Sequence, residues 1–194
     1  MKKILVLLAN GNETIEAFTA IDYLRRAGIE VDMVSTEDSL DLLTSHNIKY
    51  RAEKMLDDIN CDDYDGVYVP GGTKGAESLR DNDRVIQLVR EFDKDKKIIA
   101  AICAGPIVLD RAGVIADKKA TSFPTIKDEL KNVGEYVDDE IVVTDGNITT
   151  GRGAAVTNYL ALRLVELIKG NQAKEELKVG IQQNSVENYF AIKF

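Results

Sequence analysis

The fold is decided by Ile98-Ile99-Ala100-Ala101-Ile102-Cys103-Ala104-Gly105-Pro106. The apolar run predicts a buried strand, and the small residues after Cys103 let the chain turn sharply before Pro106 opens a helix. This order is typical of a nucleophile elbow at the carboxyl edge of a parallel sheet. The adjacent helix N-terminus is expected to lower the pKa of the Cys103 thiol. The alternative is that Cys103 is a small buried apolar residue.

Working outward, three more apolar runs predict buried strands, at residues 4–9, 31–34 and 66–69. Helical patterns are found at residues 13–27, 83–93, 106–110 and 154–169. Strands that are apolar on both faces belong to parallel sheets covered by helices. We therefore predict an α/β fold, with a doubly wound, mostly parallel sheet flanked by helices in a single domain.

The less regular segments are predicted as additions to this sheet. Residues 45–55 and 141–150 favour short antiparallel strands, the second pair turning near Gly146. Residues 1–179 are assigned to the α/β domain, and residues 180–194 to a C-terminal tail whose pattern predicts no element.

Composition excludes several classes of protein. The 194 residues carry a formal net charge of −8, which disfavours nucleic-acid and membrane partners. The apolar run at residues 4–9 is too short for a signal peptide and is better interpreted as a strand. With His46 as the single histidine and Cys61 far from Cys103, we expect no metal site within one chain. Two cysteines make a poor disulfide framework, which fits a cytoplasmic protein.

A thiol at an elbow needs a proton-transfer partner, and Glu16 is the leading candidate. It lies in the first turns of the helix that follows the first strand, and we expect the loops after two neighbouring parallel strands to share one crevice. A carboxyl group in a partly apolar crevice has a raised pKa and can exchange protons. The alternative is a solvated glutamate on a helix face.

Two further turns follow predicted strands. The first contains Gly72 within Val69-Pro70-Gly71-Gly72, and it could direct a backbone N–H toward the thiol as an oxyanion donor. The second contains Arg152 within Gly151-Arg152-Gly153, and its guanidinium could bind an anionic group. A structural turn and a structural ion pair are the respective alternatives.

Together these turns resemble the ThiJ/PfpI (DJ-one) superfamily, and the likeness extends from Lys3 to about Lys178. The stretches that carry it are Ala100-Ala101-Ile102-Cys103-Ala104-Gly105-Pro106, Val69-Pro70-Gly71-Gly72, Leu24-Arg25-Arg26-Ala27-Gly28-Ile29 and Gly151-Arg152-Gly153. The resemblance implies a flavodoxin-like, glutamine-amidotransferase-like domain. It further implies that Cys103 is the nucleophile, Glu16 shares its proton, and the backbone N–H groups of Gly72 and Ala104 face the thiol.

The residue after the cysteine separates the branches of this superfamily. Ala104 stands where the peptidase-like branch has histidine, so a cysteine peptidase is the less favoured interpretation. The DJ-one-like branch implies a cofactor-independent enzyme that acts on 2-oxoaldehydes or glycated substrates, as a glyoxalase III or deglycase. The alternative is a redox sensor or chaperone-like stress protein that oxidises Cys103 without turnover.

Two positions depart from the branch pattern. Phe123 occupies the place where the branch usually has a histidine, which weakens the expectation of fast glyoxalase turnover. His46 replaces an arginine that reaches toward the partner subunit's site, so His46 is a candidate substrate-binding residue together with Arg152. The resemblance also implies a homodimer.

Overall fold

The computed structural model describes residues 2–192, in which a seven-stranded sheet forms the centre. In chain order the strands are β1 Lys3–Leu8, β2 Glu30–Ser35, β3 Asp41–Leu43, β4 Lys49–Arg51, β5 Lys54–Met55, β6 Gly66–Val69, β7 Ile98–Ile102, β8 Lys119–Ala120, β9 Glu135–Tyr136, β10 Val142–Asp145 and β11 Ile148–Gly151. The helices are α1 Thr14–Arg26, α2 Thr73–Asp81, α3 Asp83–Lys94, α4 Pro106–Ala112, α5 Thr157–Lys169, α6 Asn171–Gly180 and α7 Gln183–Phe190.

The sheet has the order β10-β11-β7-β6-β1-β2-β5. Every pair in it is parallel except β10 with β11, which forms an antiparallel edge. The four predicted apolar runs become β1, β2, β6 and β7, which are contiguous in the sheet. The predicted α/β class and the mostly parallel sheet are confirmed.

Helices cover both faces of the sheet, which explains why its central strands are apolar throughout. On one face Leu5 and Leu7 of β1 pack into a core with α2, α3 and α4. On the other face Ile4, Val6 and Leu8 pack into a second core with α1, α5 and α6. Because successive strand residues point to opposite faces, both sets must be apolar.

The additions to the sheet differ in part from prediction. Residues 141–150 do form an antiparallel pair, β10 with β11, and Gly146 turns between them with φ +61°. In the 45–55 segment the antiparallel pair instead starts earlier, at β3, and ends with β4. β5 joins the main sheet parallel to β2, so the predicted 45–55 unit is divided between two sheets.

Three helices lie where the sequence pattern predicts none. α6 directly follows α5 and packs against it. α2 follows the glycine turn after β6 and buries Ala76 and Leu79. α7 lies in the segment predicted as a tail, and a buried ion pair of 2.7 Å between Lys178 and Glu187 connects it to α6. Residues 1, 193 and 194, which the predicted domain and tail include, lie outside the described chain.

Two properties of residues 2–192 bear on function. None of their helices combines the length and the apolar character needed to cross a bilayer. Over the same residues, no three His, Cys, Asp or Glu side chains cluster in a way that could hold a metal ion.

Candidate active site

The candidate site lies at the carboxyl edge of three adjacent strands, β1, β6 and β7. Glu16 follows β1, the glycine turn follows β6, and Cys103 follows β7. The expectation that the strands leading to Glu16 and Cys103 are direct neighbours is wrong, because β6 runs between them. Strands two positions apart are separated by about 10 Å, so the two side chains must meet across the β6 turn.

Cys103 occupies a strained position in the elbow. Its φ of +61° lies in the left-handed region, where a residue other than glycine costs roughly 1–2 kcal/mol. Hydrogen bonds hold it there: its N–H donates to the Gly151 carbonyl at 2.9 Å, and its carbonyl accepts the Phe123 N–H at 3.0 Å. The elbow therefore has a fixed backbone, and the Cys103 side chain remains partly exposed.

The glycine turn after β6 provides the space in which the two side chains meet. A Cβ on Gly71 would overlap Glu16 Oε2 and would lie 2.7 Å from the Cβ of Cys103. Gly72 has φ +86°, and a Cβ there would strike the backbone of the β1–α1 turn. Neither position accepts a side chain without displacing the site.

Glu16 is fully buried at the start of α1. Its Oε2 accepts the Gly71 N–H at 2.9 Å, and its backbone carbonyl accepts the hydroxyl of buried Tyr68 at 2.8 Å. Its second oxygen, Oε1, is buried and accepts no hydrogen bond from the backbone or from an N–H or O–H group of the described residues. The carboxyl group also interacts with the neighbouring Cys103 thiol. A buried carboxyl group with an uncommitted oxygen next to a thiol is suited to proton transfer.

Burial raises the proton affinity of both acids, and the charge of Glu16 raises that of Cys103 further. Burial raises the pKa of Glu16 to about 7, although the Cys103 thiol and the Gly71 N–H act to lower it. Burial, and next the Glu16 charge, raise the pKa of Cys103 to about 12, against the lowering effect of the Gly72 and Ala104 N–H groups. The expected lowering of the thiol pKa is wrong while Glu16 is ionised, because burial and the nearby carboxylate outweigh the backbone dipoles.

These values describe a pair that titrates as a unit. Above about pH 7 the pair holds one proton, and a second negative charge is strongly disfavoured. Whenever Glu16 takes that proton, the carboxylate that opposes ionisation of Cys103 is removed. The Gly72 and Ala104 N–H groups, which act to lower the pKa of the thiol, then stabilise the thiolate.

The other two candidate residues are not in contact with the thiol. His46 is exposed on the turn between β3 and β4, and its Nδ1 lies 3.0 Å from the Ser45 hydroxyl. Arg152 is half-buried, and its guanidinium donates to the Asp138 carbonyl. No Cys–His pair forms within residues 2–192, and substrate binding by His46 and Arg152 stays a prediction.

Phe123 is next to the elbow, at the position where the resemblance leads one to expect histidine. Its N–H donates to Cys103, its side chain is 43% exposed, and its ring packs against Gly153. A ring without a titratable group therefore lies between the elbow backbone and Gly153. The phenylalanine at this position can be identified from the sequence alone, whereas its contact with Gly153 is seen only in the structure.

Sequence reasoning missed three supporting residues. Asn12 is of a residue type that is favoured at N-caps, but it does not cap α1; its buried amide accepts the Ala9 N–H and donates to the Gly71 carbonyl. Glu13 is the N-cap instead, accepting the Glu16 N–H at 2.8 Å. Tyr68 lies in an apolar run, so nothing in the sequence indicated that its hydroxyl donates to the Glu16 carbonyl.

Comparisons with known proteins show which family the sequence resembles. The sequence model of the DJ-1/PfpI family matches residues 2–167. Protein dj-1beta of Drosophila melanogaster is 36% identical over 180 residues, covering 93% of this chain and 96% of that protein.

Solved structures of similar proteins have the same fold. The crystal structure of Drosophila melanogaster DJ-1beta superposes with a TM-score of 0.90 at 36% identity, covering 93% of this chain and 97% of that one. Toxoplasma gondii DJ-1 in an oxidized form gives a TM-score of 0.87 at 31% identity and covers 94% and 98% of the two chains.

Proposed function

The chain belongs to the DJ-1/PfpI family, and from this premise we propose that it is a cofactor-independent enzyme that converts 2-oxoaldehydes to hydroxy acids. Members of this superfamily include enzymes. The proposed activity is of the glyoxalase III type, or the related hydrolysis of early glycation adducts, and it would protect the cytoplasm against carbonyl and oxidative stress. The observation that carries the proposal is the fully buried Glu16 carboxyl, which interacts with the Cys103 thiol and has an oxygen, Oε1, that is left without a backbone partner.

The first step uses the proton that the pair shares. When Glu16 holds this proton, the Cys103 thiolate forms a bond to the aldehyde carbon. The carbonyl electrons move onto oxygen, which takes up a proton and gives a hemithioacetal. The N–H groups of Gly72 and Ala104 stabilise negative charge next to the sulfur at this stage.

The second step uses Glu16 as a base. Having given its own proton to the hemithioacetal oxygen, the Glu16 carboxylate removes the hydrogen on the former aldehyde carbon as a proton and forms an enediolate. This proton returns to the adjacent carbon while the hydroxyl proton passes to the former ketone oxygen, which moves two electrons between the carbons and leaves a thioester of the hydroxy acid. Water then cleaves the thioester and restores the thiol. A Glu16 pKa of about 7 suits both directions of proton transfer at neutral pH.

The test measures lactate formed from methylglyoxal. We expect turnover by the wild type and a loss of at least roughly 100-fold in Cys103→Ala and in Glu16→Gln, the size typical of losing a nucleophile or a general base. Cys61→Ala is the matched control, because it removes the other thiol. Lactate formation that does not exceed that of the Cys103 and Glu16 variants would exclude this function.

A second candidate function is redox sensing, in which Cys103 is oxidised to a sulfinate without turnover. The partly exposed thiol, and the Gly72 and Ala104 N–H groups that could hold sulfinate oxygens, favour it. Mild peroxide would then add two oxygens to the peptide containing Cys103, as measured by mass spectrometry. Absence of a stable product with two added oxygens would exclude this function.

The proposal includes a homodimer in which His46 acts on the site of the partner subunit. Ile15, next to Glu16 on α1, is 53% exposed, which supports a contact at this helix. Sedimentation would establish the dimer, and a rate–pH profile unchanged in His46→Ala would rule out a contribution from this histidine.

A further inference from the structure

The N-cap of α1 is an unusual one. Asn, Asp, Ser, Thr and Gly are the preferred N-cap residues, whereas Glu13 occupies this position here. Its Oε2 accepts the N–H of Glu16 itself, at 2.8 Å. The cap therefore fixes the backbone of the residue proposed to transfer the proton.

Glu13 is also connected to the glycine turn that receives Glu16. The Glu13 N–H donates to the Gly71 carbonyl at 3.0 Å, and the Gly71 N–H donates to Glu16 Oε2 at 2.9 Å. Together with the cap, these hydrogen bonds close a ring of Glu13, Glu16 and Gly71. The backbone N–H and the carboxyl group of Glu16 are thus both fixed by this ring of hydrogen bonds.

Several groups act on the Glu16 carboxyl, and Glu13 is the carboxylate among them. The β7–α4 turn contributes the Cys103 thiol, β6 contributes the Tyr68 hydroxyl, and the turn after β6 contributes the Gly71 N–H. The negative charge of Glu13 raises the pKa of Glu16 by Coulomb repulsion. It acts less on Cys103, because Glu13 is not among the main groups that shift the thiol pKa.

We propose that Glu13 is a positioning residue for the Cys103–Glu16 pair: it orients Glu16 through the helix cap, and its charge favours the arrangement in which Glu16 holds the shared proton and Cys103 is the thiolate. The charge destabilises an ionised Glu16 more than an ionised Cys103, so it shifts the shared proton toward the carboxyl. This inference rests on the Cys103–Glu16 pairing of the proposed function, but it does not require turnover.

The test measures the rate at which iodoacetamide alkylates Cys103 between pH 5 and pH 9. Only the thiolate reacts, so the rate rises as the pair loses its first proton and then reaches a plateau set by the thiolate share. Mass spectrometry of peptides separates Cys103 from Cys61, whose pKa burial raises to about 11.

Glu13→Gln keeps a cap oxygen and removes the charge. We expect the midpoint of the rate profile to fall by roughly half a pH unit, a threefold change in proton affinity. The plateau rate is expected to fall as well, because more of the shared proton returns to the sulfur. A merely structural cap would move neither quantity in this isosteric variant.

The matched control is Asp22→Asn, which removes an exposed charge farther along the same helix. It should leave the profile of the wild type unchanged. As a second measurement on the wild type, salt should screen Glu13 and lower the midpoint, an effect that Glu13→Gln should lack.

An identical midpoint and plateau in Glu13→Gln and the wild type would overturn the inference, as would an equal shift in Asp22→Asn. A wild-type midpoint that does not respond to salt would also count against it. If the midpoint shifts as expected but no lactate forms, this inference stands and only the proposed turnover fails.

Discussion

Replacing Glu16 with glutamine is expected to stabilise the protein above neutral pH while removing the proposed activity. The pKa of Glu16 is raised from 4.5 to about 7 in the folded protein, mainly by burial. Between these pH values the folded state binds a proton that the unfolded chain has lost, so the wild type loses stability as the pH rises through this window. Above the folded pKa the loss is complete and amounts to about 3 kcal/mol, at about 1.4 kcal/mol per pH unit.

Glutamine removes this pH-dependent term. Its amide oxygen can still accept the Gly71 N–H, which now donates to Glu16 Oε2. The contributions of all other titratable groups cancel when the two proteins are compared at one pH. We therefore expect the stability difference to grow from pH 4.5 to pH 8 in favour of Glu16→Gln. At pH 8 it corresponds to a Tm difference of roughly 6–12 °C for a chain of this size.

Thermal unfolding of both proteins at half-unit pH steps measures this difference. Glu13→Asp serves as a control, since aspartate keeps both the charge and the capping group at the helix start. A Tm difference that stays constant between pH 4.5 and pH 8 would refute the reasoning, because it would show that Glu16 ionises alike in the folded and unfolded states. A difference in favour of the wild type at pH 8 would refute it as well.

Three further outcomes are expected. Gly71→Ala should destabilise the protein by about 1–3 kcal/mol in thermal unfolding, because the Cβ of the alanine would overlap the Glu16 carboxyl. An unchanged Tm would contradict this packing. Phe123→His should raise kcat/KM for methylglyoxal by roughly tenfold or more, since it adds an acid–base group beside the thiol, and an unaltered value would argue against proton transfer from this position. Lys178→Met should lower the free energy of unfolding in denaturant by about 3–5 kcal/mol, because it leaves the buried Glu187 unpaired. Adding Glu187→Met should recover most of this loss. Equal stability of the single and double variants would show that the ion pair does not hold α7.

Much of the fold could be predicted because local burial leaves a local pattern. The apolar runs that became β1, β6 and β7 are continuous because helices cover both faces of the sheet. The turn at Cys103 was identifiable because only small residues can follow such a bend. By contrast, α2, α6 and α7 were missed, since their short amphipathic patterns lie next to glycines and polar residues.

The candidate site was predictable as a set of residues and not as a geometry. Cys103 and Glu16 could be named because each follows a strand that ends at the same edge of the sheet. The contribution of Gly71 was not foreseen, since an empty space between two side chains leaves no pattern in the chain. Glu13 was missed as the cap because Asn12 is the residue type that local preference favours.

The sequence by itself determined the α/β class, the central strands, the elbow at Cys103 and the likeness to the DJ-1/PfpI family, because these depend on residues close together in the chain. The tertiary structure alone decided that β6 separates β1 from β7, and that Glu16 reaches Cys103 across a turn without side chains. It also decided the proton affinities of the pair, whose direction the sequence misjudged for the thiol. The physical reason is that a pKa depends on burial and on charges brought together by folding, and both are properties of distances in space.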